Sequence, residues 1–353
     1  MTDLERQPRA SKDEQSKMVI KGGIGSYAII KKLAQTAAMR YYLCQDECQK
    51  WRIFCIAATK ADNRVVLRAQ DVLDHLAKVS TKLEDDEYDN TLKEVYADDF
   101  VIREVWSFRD YGDKDDSDDI MTIRWKLRQD PPTLQELELV EKMRAERLQQ
   151  RLHYDWLFPV VTESFCCMEQ GGRQVNVLEI PDASLDDMTS LAGIPNKKMR
   201  LDLRSSAWIV GRMLKLQSLL CLAAVSASIG MSKFLIAPEH HRLVMLDWGD
   251  SAICKTVDWE SSNLNVARAG IMGLRLIGAT STEDEWQYPY ALENASDEIY
   301  IQCLRDMAAL RAGYRGEYIW ENRSMRTIAH FKFYETVDCL WGRKYHPFTT
   351  LPM

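Results

Sequence analysis

At 353 residues, 46% hydrophobic and 28% charged, the chain has apolar content for an ordinary core, and its length suggests two lobes rather than three. Its formal net charge of -7 disfavours a broad nucleic-acid surface, which rests on clustered Lys and Arg. No apolar run approaches the roughly 18 residues a bilayer span needs, and the polar N-terminus lacks a signal-peptide apolar region. A cytoplasmic protein with no membrane or nucleic-acid partner is expected. The nine cysteines are scattered, several within apolar runs such as Ile53-Phe54-Cys55-Ile56, which predicts reduced, buried thiols rather than a disulfide framework.

In chain order, residues 1–17 read as a disordered leader, and Gly22, Gly23 and Gly25 loosen the approach to the fold. Strands are predicted over 27–33, 39–44 and 51–57, followed by a helix over 63–79 with Val66, Leu67, Val72, Leu73 and Leu76 on one face. From 80 to 150 the character changes. Acidic runs at 84–89 and 110–119 flank alternating segments at 100–108 and 120–127, which predict an inserted hairpin with a solvated loop. Pro131 and Pro132 precede an amphipathic helix over 134–152 with i,i+4 pairs such as Glu138–Lys142. Two further strands, 158–165 and 175–180, enclose a turn at 169–172. A long apolar helix is predicted over 205–225, then a hairpin of 234–237 and 243–246, then helices over 296–310 and 325–341. Strands first and helices after, with one late hairpin, is an α+β order.

The late hairpin ends in Asp247-Trp248-Gly249, which presents a carboxylate at a strand end. This tripeptide resembles the Asp-Phe-Gly element of protein kinases, whose Asp holds a nucleotide-bound magnesium ion. Other segments resemble kinase elements in the same order: ADNRVVLRAQDVLDHL the helix after the third strand, HYDWLFPVVTESF and RQVNVLEI strands four and five, and SSAWIVGRMLKLQSLL the helix before the catalytic loop. The chain is thus similar, over most of its length, to the protein kinase-like superfamily. The likeness is greatest to bacterial and phage kinase-like proteins, some of which occur with J-domains; SDEIYIQCLRDMAAL and LWGRKYHPFTTLPM resemble that group's last helices and tail. The resemblance implies a bilobal fold, with a β-rich N-lobe over 18–180 carrying an insertion at about 80–150, an α-helical C-lobe over 181–353, and Asp247 in the cleft between them.

Kinase chemistry needs a phosphate-covering loop, a strand lysine paired to a helix glutamate, a catalytic base, an Asn metal ligand and the magnesium Asp. Carried onto this chain, the resemblance puts LAQTAAMRYY where a Gly-rich turn belongs, Cys55 at the lysine and Ala69 at its glutamate partner. The base falls at Ser228, the His two before it at Ser226, and the Asn ligand at Lys233. Serine does not take up a proton at neutral pH as a carboxylate does, and an ammonium cannot ligate magnesium. Asp247 alone keeps its role, with Gly249 beside it and Asp250 close by. A degenerate kinase, or pseudokinase, is expected, binding other proteins through the 80–150 insertion.

The alternative is an active ATP-dependent phosphotransferase. Lys126, read on a strand, and Glu146, read on the following helix, would then restore phosphate binding beside Asp247, with ATP and magnesium as cofactors. More ordinary roles stand against these: Asp247 as a turn cap, and Lys233 as a solvated loop residue or a fixed positive charge in place of a second magnesium. His240 and His241 read as turn residues rather than zinc ligands. The acidic run DKDDSDD at 113–119 has Asp118 and Arg124 where a calcium loop needs Gly and Glu, so it reads as a solvated loop.

Overall fold

Apolar and β-branched residues recur through 19–57 and form four antiparallel strands: β1 (Val19–Lys21), β2 (Ser26–Gln35), β3 (Met39–Gln45) and β4 (Trp51–Ala57). β5 (Val160–Cys167) and β6 (Arg173–Glu179) complete a six-stranded sheet in the order β1-β2-β3-β4-β6-β5. The computed structural model describes residues 18–97, 99–108, 120–149, 157–181, 188–239, 241–281, 286–288, 294–311, 313–321, 324–342 and 346–353. The expected leader, the 113–119 acidic run and His240 lie outside them. One face of the sheet packs Tyr27, Phe54, Ile56, Val175 and Val177 into a small cluster. The other presents Met39, Tyr41, Leu43, Ile53 and Cys55 to the main core.

Helix α1 (Asn63–Val95) follows β4 and continues well past the expected end at residue 79. Nothing in the charged stretch after Ser80 is a Gly or Pro that would stop it. Val66, Ala69, Val72, Leu73 and Leu76 are buried, whereas Leu67, expected on the same face, is 42% exposed. Asn63 fastens the helix start to the sheet, donating to Gly172 O at 2.9 Å and accepting from Gln174 N at 2.8 Å.

The expected inserted hairpin is instead helical: α2 (Phe100–Phe108) and α3 (Ile120–Gln129) replace the two strands, and α4 (Leu134–Gln149) follows as expected. Ile123 and Leu127, four apart, share one helical face. They pack with Val95, Phe100, Val105 and Val140 into a satellite core, and this burial overrides the two-residue alternation. Thr133 and Glu136 form a capping box that starts α4 after the two prolines. Arg144 Nε donates to Val95 O at 2.8 Å, and Arg147 pairs with Glu94 at 3.0 Å and Glu104 at 2.7 Å, fixing the insertion to the end of α1.

The C-terminal part is mainly helical. It begins with β7 (Thr189–Ser190), α5 (Gly193–Asn196), β8 (Met199–Leu201) and α6 (Leu203–Leu222), the apolar helix expected there. Next come β9 (Val225–Ser226), the buried hairpin β10 (Phe234–Ala237) and β11 (Arg242–Met245), and β12 (Ala252–Ile253). Helix α7 (Trp259–Leu276) has no counterpart in the sequence reading; Asp258 caps it by accepting from Ser261 N at 3.0 Å. Then follow β13 (Thr280–Ser281), β14 (Trp286–Gln287), α8 (Ala295–Ala308), β15 (Tyr318–Glu321), β16 (Ser324–Thr327), α9 (Ile328–Trp341) and β17 (Thr350–Pro352).

A sheet-rich part followed by a mainly helical part is the α+β order expected. The main core is continuous between them, from Met39, Tyr41 and Cys55 through α1 to Leu246 and Trp248. All nine cysteines are free, and Cys44, Cys55, Cys167, Cys221 and Cys303 are buried. Among the described residues no helix is long and apolar enough to cross a membrane.

Candidate functional site

The β10–β11 hairpin delivers Asp247. Phe234 pairs with Met245, all eight strand residues are buried, and Leu246 N donates to Lys233 O at 2.8 Å as the chain leaves the hairpin. Trp248, 1% exposed, anchors the next turn, its Nε1 donating to Met245 O at 2.8 Å. At Gly249 an added Cβ would stand 2.7 Å from Met39 Cε and 3.0 Å from Val65 Cγ1. A side chain at this position would displace the Met39 methyl of β3 and crowd Val65 of α1.

The Asp247 carboxylate faces the sheet. Its Oδ1 accepts from the Tyr41 hydroxyl at 3.1 Å and from Gly249 N at 3.1 Å. Tyr41, Cys55 and Asn176 are register partners across β3, β4 and β6, so they form one row on one face of the sheet. Asn176 Nδ2 donates to Val66 O of α1 at 2.9 Å, and the Cys55 thiol lies 3.7 Å from Met39 Sδ. Burial holds the Cys55 thiol and the Tyr41 phenol well above their usual pKa values, and the Asp247 charge adds to both shifts. Both are neutral at physiological pH, so this row brings Asp247 hydroxyl, thiol and amide groups and no cation. Ala69 is 5% exposed in the core on α1.

Across the turn, Lys233 Nζ lies 2.5 Å from Asp250 Oδ1. Magnesium binds through carboxylates together with phosphate oxygens. Here Oδ1 of Asp247 is engaged by Tyr41 and Gly249, and the Asp250 carboxylate by an ammonium, a set that fits protein donors better than a cation. Among the described residues no group of three or more His, Cys, Asp or Glu side chains is placed to hold a metal ion. The turn between β2 and β3 is tight, with Thr36 N donating to Met39 O at 2.8 Å and Met39 N to Thr36 Oγ1 at 3.0 Å.

The stretch with the two serines is held from below. Ser226 Oγ donates to Asp258 Oδ2 and to Ser261 Oγ, both at 3.2 Å, and Ser228 is half-buried. Buried Asn265 on α7 accepts from Ile229 N at 3.1 Å and donates to Ala227 O at 2.6 Å. Lys126 lies on α3, not on a strand, with its ammonium 4.9 Å from the centre of the Trp106 ring, and Glu146 on α4 is 3.9 Å from Lys142. The strand-lysine arrangement read for this pair is therefore corrected.

The structure thus gathers Cys55, Asp247, Gly249 and Lys233 around one turn. Tyr41, Asn176 and Asn265, which sequence reasoning did not single out, complete the surroundings. Their partners are up to 206 residues away, so no local motif signals them.

No protein family and no curated protein matches the chain. Among solved structures it is similar to the crystal structure of the BubR1 kinase domain. The match has 11% sequence identity and a TM-score of 0.46, and covers 93% of this chain and 84% of that chain.

Proposed function

We propose that the chain is a pseudokinase: a protein kinase-like protein, catalytically inactive or severely weakened, that acts as a protein-binding scaffold or regulator. The observation that carries this reading is the Tyr41–Asp247 hydrogen bond within a continuous core. The carboxylate that would hold nucleotide-bound magnesium is turned toward a buried strand tyrosine, with a neutral thiol at the lysine position. Phosphoryl transfer is catalysed almost wholly by positioning and charge stabilisation, so the residues at 55, 228 and 233 leave little to catalyse it. The rival, an active phosphotransferase using Lys126, Glu146 and Asp247, finds no support in the helical placement of the first two.

The insertion supplies the surface for a protein partner. Met121 and Trp125, on one face of α3, are 66% and 62% exposed, and Leu134 at the start of α4 is 79% exposed. Calorimetric titration of ATP, with and without magnesium, into wild type and Asp247→Ala tests the reading. No binding heat at millimolar nucleotide is expected. Magnesium-dependent binding that disappears in Asp247→Ala overturns it.

A further inference from the structure

A cavity of about 560 Å³ lies between α6, α9, the β10–β11 turn and the segment before β17. It is within the size range of small-molecule sites. It adjoins the turn of the hairpin whose other end carries Asp247. One wall is aromatic: the Trp208 ring makes edge contacts with His241 at 5.1 Å and Phe348 at 6.1 Å, and Phe333, Tyr334 and Trp341 line the α9 side. The α6 side is cationic. Arg204, Trp208, Arg212 and Lys215 follow at three- and four-residue spacing on one helical face, and no Asp or Glu is among the described residues that line it.

Arg212 is the telling member of this set. Burial, and secondarily the nearby Arg242 charge, lower its pKa. Among the described residues no hydrogen bond or ion pair reaches its guanidinium. Arg204, by contrast, lies 5.9 Å over the Trp341 ring. The Trp208 indole N–H in the same wall also has no hydrogen-bond partner among the described residues. A largely buried cation without a counter-charge is costly, and one facing a cavity is satisfied by an anion bound there. Guanidinium groups suit phosphate and carboxylate oxygens, and the adjoining rings suit a flat apolar body.

We propose that this cavity is a binding site, separate from the Asp247 cleft, for a small planar aromatic anion. Its phosphate or carboxylate is held by Arg212 and Lys215, and its ring system is packed against the Trp208 wall. The site is independent of whether the Asp247 cleft takes nucleotide.

The test is calorimetric titration of the full chain with 1-naphthyl phosphate, with inorganic phosphate and 1-naphthol as separate arms. Saturable 1:1 binding is expected, weakened at least about tenfold in Arg212→Met and in Lys215→Met, with both partial ligands much weaker. Asp247→Ala should bind as wild type does. Absence of saturable binding at millimolar ligand, or equal affinity in wild type and both variants, overturns the proposal. Tight binding of 1-naphthol refutes the anion requirement, tight binding of phosphate alone refutes the aromatic one, and loss in Asp247→Ala places the ligand in the cleft instead. Should Arg212→Met fail to fold, Lys215→Met decides, together with the fall of wild-type affinity with added salt that charge pairing requires.

Discussion

Replacing Tyr41 with Phe removes one oxygen and leaves the shape of a side chain that is 1% exposed. Oδ1 of Asp247 then loses its 3.1 Å hydroxyl donor and keeps only Gly249 N. A hydrogen bond to a charged group contributes about 1.5–3 kcal/mol net. Because Asp247 is half-buried, water recovers part of the loss, which places the expected cost near the lower end, about 1.5–2 kcal/mol. In an Asp247→Ala background the same change deletes a buried hydroxyl already deprived of this acceptor, so it is close to neutral. A double-mutant cycle should therefore give a coupling energy of about 1.5 kcal/mol or more. The measurement is urea unfolding at pH 7 of wild type, both single variants and the double, compared by midpoint at a common slope. The core that runs through both parts of the molecule favours a single cooperative transition. Additive costs, with coupling below about 0.5 kcal/mol, would refute the claim that the tyrosine and the carboxylate hold each other.

Asn265→Ala leaves the Ile229 N–H and the Ala227 carbonyl without their partner, at about 1–3 kcal/mol each. A stability loss below about 1 kcal/mol would mean that water replaces both bonds. Glu163 accepts from Gly23 N, from Ile24 N at 2.9 Å and from the Tyr27 hydroxyl at 2.5 Å. Glu163→Ala should thus unfasten the β1–β2 turn, and hydrogen exchange at Gly23 and Ile24 should accelerate; unchanged protection contradicts this. Burial pushes Cys44 up to about 12 and Cys303 up to about 11 from 9.0, so the folded state keeps protons that the unfolded chain releases. The stability linked to these thiols is fully present below pH 9 and is lost as pH rises from there toward 11–12, by up to about 1.4 kcal/mol per pH unit for each. Urea midpoints at pH 8, 9 and 10 should fall less steeply in Cys44→Ala than in wild type; parallel curves refute the assignment.

Elements with one dominant signal were legible in the sequence. The strand Trp51–Ala57 and the hairpin before Asp247 stand where their apolar runs put them. Helix α7, which the sequence reading passed over, carries Gly270 and Gly273 in its interior. A Cβ at Gly270 would lie 2.7 Å from Ala308 N and Leu304 O, so these glycines are the price of the close α7–α8 crossing. The insertion was misread because Phe100–Phe108 and Ile120–Gln129 satisfy two periodicities, and only the satellite core chooses between them. At the candidate site, Asp247 and the altered positions around it were named through the resemblance to protein kinase elements. The strand tyrosine that reaches Asp247, and the asparagine beneath the 225–230 stretch, were not, since tertiary register sets both contacts.

Helix α1 is one uninterrupted rod of 33 residues, about 50 Å long. Val65, in its first turn, stands 3.0 Å from where a Cβ would lie on Gly249, and His75 bonds Ala223 O at 2.8 Å. Its last turn carries α2 and α4 through Arg144 and Arg147. Such a rod has a fulcrum in its buried half and an outer arm beyond Ser80 that bears the insertion. A rotation of a few degrees about that fulcrum sweeps the outer end through roughly 1–2 Å, given a rise of about 1.5 Å per residue. Whatever grips the insertion therefore holds the long arm of a lever whose short arm is built into the wall beside Asp247.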